Sequence, residues 1–343
     1  MKRVGILGLP QSGKTTLFEI LMQGAGTGGG REQVGVVRVP DQRVDRLSAL
    51  YSPKKTTLTQ VQFVDSAAAG QPSARSAAKG TDLFGSVRNC DALVFVVRDF
   101  VLAGEAPDPA RDRAALDAEL ILNDLAIVEN RLEKLAKELR IGKKQNEAEH
   151  ALLERCRHVL ESESPLSAQT FGPDELRILR GFQMLSLKPR LVVYNQDEQT
   201  RPAPAPPPGL ARALSLRAHR ERELVALPAG EREAFRAELG LEEDGLSLVI
   251  RACYELLGLI SFFTVGPDEV RAWEIRRGEK AVEAAGEIHS DLAKGFIRAE
   301  VIEWDRLLEV GGHAKAREKG WLRLEGRDYE VKDGDCLEIR FNK

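Results

Sequence analysis

Apolar positions along the chain follow two rhythms. Arg3 to Leu7 is a short β-branched and aliphatic run that passes directly into a glycine-bounded loop, Gly8 to Thr15, and then an amphipathic stretch from about Lys14. This predicts a strand, a loop and a helix in succession. Val61 to Val64 and Ala92 to Val97 are short and Val-rich, the composition of strands buried on both faces of a parallel sheet. Leu191 to Tyr194 is a fourth such run. Strands separated by helical segments predict an α/β sheet, and the long gap between Val97 and Leu191 predicts an insertion into it.

Within that gap Ala118, Ile121, Leu125, Val128, Leu132, Leu135 and Leu139 recur at alternating steps of three and four, an a/d heptad seam. Gly142 interrupts it inside Arg140-Ile-Gly-Lys-Lys144, and a second helical run follows with Ala148, Leu152, Cys156 and Val159. The two runs predict an antiparallel helical hairpin with a basic tip. Such a hairpin is either an ordinary packed pair with a solvated tip or an arm that presents Arg140, Lys143 and Lys144 to phosphate. Arg201 to Gly209 carries Pro202, Pro204, Pro206, Pro207 and Pro208, and so reads as an extended surface segment. From about Ser261 the pattern changes to short strands and glycine turns, ending in the alternating Cys336 to Phe341, which predicts a small β-rich domain.

At 343 residues the chain is long enough for two or three domains. Apolar residues at 43% and charged residues at 30%, with 50 basic against 53 acidic side chains, fit a globular protein and make any nucleic-acid surface a local patch. No run approaches the roughly 18 apolar residues of a membrane span, and MKRVGILGLP lacks the features of a secretory signal. Cys90, Cys156, Cys253 and Cys336 are widely spaced, which suggests reduced thiols in a cytoplasmic protein and neither a disulfide framework nor a zinc site. The five histidines also lack ligand spacing.

Gly8-Leu-Pro-Gln-Ser-Gly13-Lys14-Thr15 matches GxxxxGK[ST], with a strand before it and a helix after it as the motif requires. Its backbone amides turn toward phosphate oxygens, Lys14 adds a point charge and Thr15 offers a hydroxyl to Mg²⁺. The candidate phosphate-binding residues are Pro10, Gln11, Ser12, Gly13, Lys14, Thr15 and Thr16. Asp65, closing the run that begins at Val61, is the candidate carboxylate for the metal, beside Thr15, and with Lys14 the candidate catalytic pair. Base recognition is expected at a later strand end, where Leu191 to Tyr194 delivers Asn195, Gln196, Asp197 and Glu198. A guanine site would place Lys after the Asn and Asp at the fourth position. Gln196 and Glu198 stand there instead, which removes the reason to prefer guanine and opens the site to adenine.

The chain resembles the YchF subfamily of Obg-like NTPases over nearly its whole length. The shared motifs include PDxRxDxL at Pro40 to Leu47, FVD at Phe63 to Asp65, RxxDA at Arg88 to Ala92, VENRLEKL at Val128 to Leu135, and KPxLxxxNxxE at Lys188 to Glu198. YELLGLISFFT at Tyr254 to Thr264, GFIRAEVI at Gly295 to Ile302 and LEGRDYEVKDGD at Leu324 to Asp335 continue the match in a tail similar to a TGS domain, a β-grasp fold. The resemblance implies an α/β P-loop NTPase domain, a doubly wound sheet over 1–106 and 181–258. It also implies an inserted helical coiled-coil domain over 107–180 and a TGS domain over 262–343. With it come Asn195 and the backbone of Gln196 facing adenine, Glu198 nearby, ATP preferred to GTP, slow hydrolysis, and association with the ribosome or RNA; Mg²⁺ as cofactor, a cytoplasmic location and a monomeric state are expected beside it.

Departures from the family pattern fall on switch elements. Ala68 stands where the family has the glycine of DIAG, the first switch is a shorter Gly24 to Gly30 tract in which Thr27 is a poor metal ligand, and Val101 to Ala106 lacks the family's histidine. The phosphate loop is intact. Two functions therefore follow: a slow ATPase, or a nucleotide-gated ribosome- or RNA-binding scaffold that does not hydrolyse. A small-molecule kinase would share the loop but would need an Arg-rich lid, for which the sequence gives no pattern.

Overall fold

The computed structural model describes residues 1–22, 27–28, 33–65, 84–140, 147–197, 212–228, 230–232, 234 and 245–342, with 27, 28, 33 and 140 described by backbone alone. Its strands are β1 (Arg3–Leu7), β2 (Thr27–Gly28), β3 (Gln33–Arg38), β4 (Lys55–Thr57), β5 (Gln60–Asp65), β6 (Ala92–Asp99), β7 (Arg190–Gln196), β8 (Arg212–Leu216), β9 (Leu259–Val265), β10 (Glu269–Arg276), β11 (Phe296–Glu303), β12 (Arg323–Glu325) and β13 (Asp335–Phe341). The helices used below are α1 (Lys14–Met22), α2 (Gln42–Tyr51), α3 (Gly85–Arg88), α4 (Pro109–Arg140), α5 (Glu147–Glu161), α6 (Pro173–Arg180), α7 (Ala218–Ala226) and α8 (Gly245–Leu256).

The chain divides into two compact units, Met1–Val37 with Gln62–Cys253, and Arg38–Val61 with Tyr254–Lys343. In the first, the sheet runs β2-β3-β5-β1-β6-β7-β8. β1 pairs in parallel with β5 and β6, β6 with β7, and β7 with β8. All four predicted apolar runs are strands of this sheet. β7 is buried at every residue and β6 at every residue except Arg98, as strands covered on both faces must be. Leu7, Val64, Phe95, Val97, Val192 and Tyr194 form its core.

The insertion is an antiparallel pair, α4 and α5. Asp108 caps α4, its carboxylate accepting from the Arg111 amide at 3.0 Å, and Pro109 fills the first helical position, where a missing N–H costs nothing. Ile121, Val128, Leu132 and Leu135 pack against Leu152, Leu153, Cys156 and Leu160. The seam begins later than its periodicity predicts. Ala118 is exposed, and Leu116 and Leu120 are buried instead, in the core of the sheet, because the first turns of α4 lie on β6 before the helix meets α5.

Polar groups fasten the insertion. Asp124, fully buried, accepts from the Leu185 amide at 2.9 Å and the Ser186 amide at 2.7 Å. Arg190 of β7 pairs with Asp117 of α4 and donates to Ser167 Oγ at 2.9 Å. Arg131 and Glu149 form a two-point fork between α4 and α5 at 2.7 and 2.9 Å, the geometry in which a guanidinium binds a carboxylate most strongly.

The second unit holds a sheet ordered β12-β11-β13-β9-β10-β4. β11 is antiparallel to β12 and β13, β9 is antiparallel to β10, and β13 and β9 are parallel neighbours, a β-grasp arrangement. The helix Ala281–Ile288 covers one face through Ala281, Ala284 and Ala285. The family resemblance implies 38–61 in the domain of the first sheet, whereas the contacts group Arg38–Val61 with the tail. β4 adds in parallel to β10, and α2 sinks Val44 and Leu47 into a core with Phe263, Val270 and Ile302. The cause is long-range pairing between strands some 210 positions apart, which periodicity does not encode.

Candidate functional site

The carboxyl ends of the parallel strands meet at the glycine loop. The Ser12 amide donates to the Leu9 carbonyl at 3.2 Å and the Leu17 amide to the Gly13 carbonyl at 2.9 Å, closing the loop and starting α1. Gln11 and Gly13 are left-handed, with φ of 64° and 95°, so successive amides face one concavity, the geometry that binds anions. Two glycines are required. A Cβ on Gly8 would lie 2.4 Å from Ser12 Oγ and 2.7 Å from the Val96 carbonyl, and one on Gly13 would lie 2.2 Å from Asn195 Nδ2.

Asn195 is the keystone of the site. Its Nδ2 donates to the Ser12 carbonyl at 3.1 Å, and its Oδ1 accepts from the Ala218 amide at 3.1 Å. One amide side chain thereby ties the phosphate loop, the end of β7 and the start of α7. Each amide end keeps one further hydrogen-bonding position. Gln196, also buried, spends its side chain on Asp99, Nε2 to Oδ2 at 2.9 Å, which leaves its backbone at the strand end.

A cavity of about 650 Å³ opens over these strand ends. Gln11, Gly13, Lys14, Thr15 and Thr16 line it from the loop and α1, Asn195 and Gln196 from β7, and Asp197 from just beyond it. Of the residues singled out from sequence, these seven, Gln11 to Thr16 without Ser12 and Asn195 with Gln196, share one space. Ser12 lies beneath it, buried, and Pro10 is in the turn but not on the wall. Glu198 falls outside the described residues, as do Ala68, the side chain of Thr27, Lys143, Lys144, the side chain of Arg140 and the proline segment.

Asp65 ends β5 on the other side of β1. It is buried, and its Oδ1 has no hydrogen-bond partner among the described residues. Burial pushes its carboxyl above the ordinary range, and the charge of Lys14 acts the other way. Ser12 Oγ is likewise buried without a partner. Two buried oxygens left unpaired beside a phosphate-type loop are what a cation and its anion would satisfy. Among the described residues no cluster of three or more His, Cys, Asp or Glu side chains forms a metal site of its own.

The structure adds residues that pattern reading missed. Phe100 and Val101 follow β6, and Arg217, Ala218, His219 and Arg222 follow β8, all on the cavity wall. The available signal was the rule that ligands lie at strand carboxyl ends. It was unusable at β8 because Arg212 to Leu216 follows the proline segment without a strong alternation.

Comparison with known proteins fits this geometry. A family model named YchF-GTPase_C, described as "Protein of unknown function (DUF933)", matches residues 259–342. The protein named ribosome-binding ATPase YchF from Bacillus subtilis is 36% identical over 361 residues, covering 98% of both chains. The chain belongs to the YchF family. The protein of the same name from Escherichia coli O157:H7 is 36% identical over 362 residues and 99% of both chains. The solved structure of the Schizosaccharomyces pombe YchF GTPase superposes with a TM-score of 0.85 at 26% identity, covering 99% of this chain and 97% of that one. Both the P-loop NTPase sheet and the C-terminal domain are therefore those of this family. Among the described residues no helix is long and apolar enough to cross a membrane.

Proposed function

We propose that the chain is an ATP-preferring, Mg²⁺-dependent nucleotide-binding protein and slow ATPase that works on the ribosome. The reading rests on one observation: a single cavity joins the phosphate loop to the end of β7 through Asn195. The names of the relatives, ribosome-binding ATPases, supply the partner and the reaction class.

In this reading the amides of Gln11 to Thr16 and the Lys14 ammonium hold the terminal phosphates, and Lys14 stabilises charge that develops during phosphoryl transfer. Thr15 and Asp65 would hold Mg²⁺, directly or through water, and the ion supplies charge neutralisation on the phosphate oxygens. Asn195 and the Gln196 backbone face the base, with Glu198 replacing the carboxylate that a guanine site would use. The cytoplasmic chain acts as a monomer and meets ribosomal RNA through the hairpin tip, Arg140, Lys143 and Lys144, and through the TGS domain.

The sequence departures at Ala68, Gly24 to Gly30 and Val101 to Ala106 favour slow turnover, and in the extreme a nucleotide-gated scaffold that does not hydrolyse. Calorimetric titration with ATP and GTP, with and without Mg²⁺, tests the main reading. ATP binding that needs Mg²⁺ and is lost in Lys14→Ala supports it, and absence of binding by either nucleotide rejects it. Single-turnover hydrolysis with ribosomes then separates the slow enzyme from the scaffold.

A further inference from the structure

The part of the cavity farthest along the sheet from the phosphate loop has an unusual wall. β7 lies between β6 and β8 in the sheet. Beyond the end of β6 the wall is apolar, Phe100 and the exposed Val101, and beyond the end of β8 it carries the guanidinium groups of Arg217 and Arg222, with His219 beside them. A planar ligand group resting over the end of β7 therefore has carbon on one flank and guanidinium on the other.

Helix geometry decides which cation reaches it. Residues 218 and 222 are about 40° apart around the axis of α7 at 3.6 residues per turn. A helical side chain also leans toward the N-terminus and covers the turn before its own Cα. Arg222 is thus directed back over Ala218, whose amide is held by Asn195 Oδ1 at 3.1 Å, the point at which the base end of the cavity is built. α7 has little freedom to carry it elsewhere. Its start is fixed by Asn195, and its inner face by buried Glu221, which accepts from the Gly245 amide at the start of α8 at 2.9 Å. The carboxylates nearest in sequence are engaged away from Arg222: Glu221 at Gly245, and Glu223 with His219 at 3.5 Å. Arg222 is exposed, and no carboxylate among the described residues pairs with it.

We propose that Arg222 is the base-stacking residue of this site, its guanidinium plane covering the face of the purine that Asn195 and Ala218 place at the end of β7. The inference rests on the nucleotide reading above and adds to it a recognition element that sees the face of the base. Arginine suits the role because its delocalised plane stacks on an aromatic ring and its charge is attracted to the ring's π-face. Every purine presents such a face, so the contact strengthens adenine and guanine nucleotides alike. Base choice is then left to the edge contacts at the end of β7.

The test is calorimetric titration, in Mg²⁺, of the full chain and its Arg222→Ala and Arg222→Lys variants with ATP, GTP and inorganic tripolyphosphate. Arg222 is a surface residue, and equal melting temperatures for the three proteins establish that each is folded. The expected result is a fall of about tenfold in affinity for ATP, and by the same factor for GTP where its binding is measurable, in both variants, the order of one base losing its stacking partner. Tripolyphosphate, which has no base, should bind all three proteins equally. Unchanged ATP affinity in Arg222→Ala overturns the proposal. So does full affinity in Arg222→Lys, which would make charge sufficient, or a parallel loss for tripolyphosphate, which would place Arg222 on the phosphates. If the unaltered chain binds tripolyphosphate but neither nucleotide, base recognition is absent and the proposal falls. If it binds none of the three, the nucleotide reading itself has failed.

Discussion

Asn195 Nδ2 donates to the Ser12 carbonyl at 3.1 Å, joining two residues 183 positions apart that the parallel sheet brings side by side. That bond, with the one from the Ala218 amide to Asn195 Oδ1, ties the glycine loop, the end of β7 and the start of α7 together through one side chain. Asn195→Ala should leave the Ser12 carbonyl and Ala218 amide without partners. The expected result is a loss of about 1–3 kcal/mol in stability and at least a tenfold loss of ATP affinity. Asn195→Asp should do no better, because a carboxylate repels the Ser12 carbonyl. Urea unfolding and calorimetry check both, and unchanged ATP affinity in Asn195→Ala would remove Asn195 from the site.

Gly13 offers a sharper contrast. Gly13 and Gly278 both have positive φ, 95° and 91°, but a Cβ at Gly13 would lie 2.2 Å from Asn195 Nδ2, whereas at Gly278 there is nothing within 4 Å. Gly278→Ala should show backbone strain alone, about 1 kcal/mol, with full ATP affinity. Gly13→Ala should lose more stability and all measurable nucleotide binding, since Asn195 must move. Equal stability losses in the two variants would mean that the contact with Asn195 is immaterial.

Asp65 gives a pH dependence whose sign follows from its burial. Its folded-state pKa is raised above the ordinary 3.8, so the folded chain holds this proton more tightly than the unfolded chain. Its contribution to stability is then fully present below about pH 3.8 and is lost as pH rises through the raised value. Asp65→Asn should therefore raise the melting temperature of the nucleotide-free, Mg²⁺-free chain at neutral pH, by about 2–4 °C, with no gain in acid. The same variant should lose the Mg²⁺-dependent part of ATP binding. A lower melting temperature at neutral pH would show that the carboxylate is structural.

Asp124 tests the insertion separately from the site. It accepts the Leu185 and Ser186 amides, so Asp124→Ala leaves two buried donors unpaired and should cost about 2–4 kcal/mol. Nucleotide affinity of the folded fraction should not change, because none of these residues lines the cavity. Denaturant unfolding followed by titration separates the two readouts.

The sequence alone determined the local parts. Gly8 to Thr15, with a strand before and a helix after, is written in consecutive residues, and so are the Val-rich strands and the repeat that pairs α4 with α5. These are short-range signals in which composition and spacing suffice. Seven of the expected binding residues line one cavity because strand ends in a doubly wound sheet converge by construction. What only the tertiary structure decided depends on pairings between distant segments. The parallel addition of β4 to β10 carries Arg38 to Val61 into the second sheet. The depth at which α4 leaves the sheet exposes Ala118 and buries Leu116. The register of β7 against β8, Asn195 beside Leu216, brings Ala218 to Asn195 and Arg222 to the cavity. A sequence records which side chains are available, but which of them share a cavity is set by strand order and register, where the choice among pairings rests on burial summed over the whole sheet.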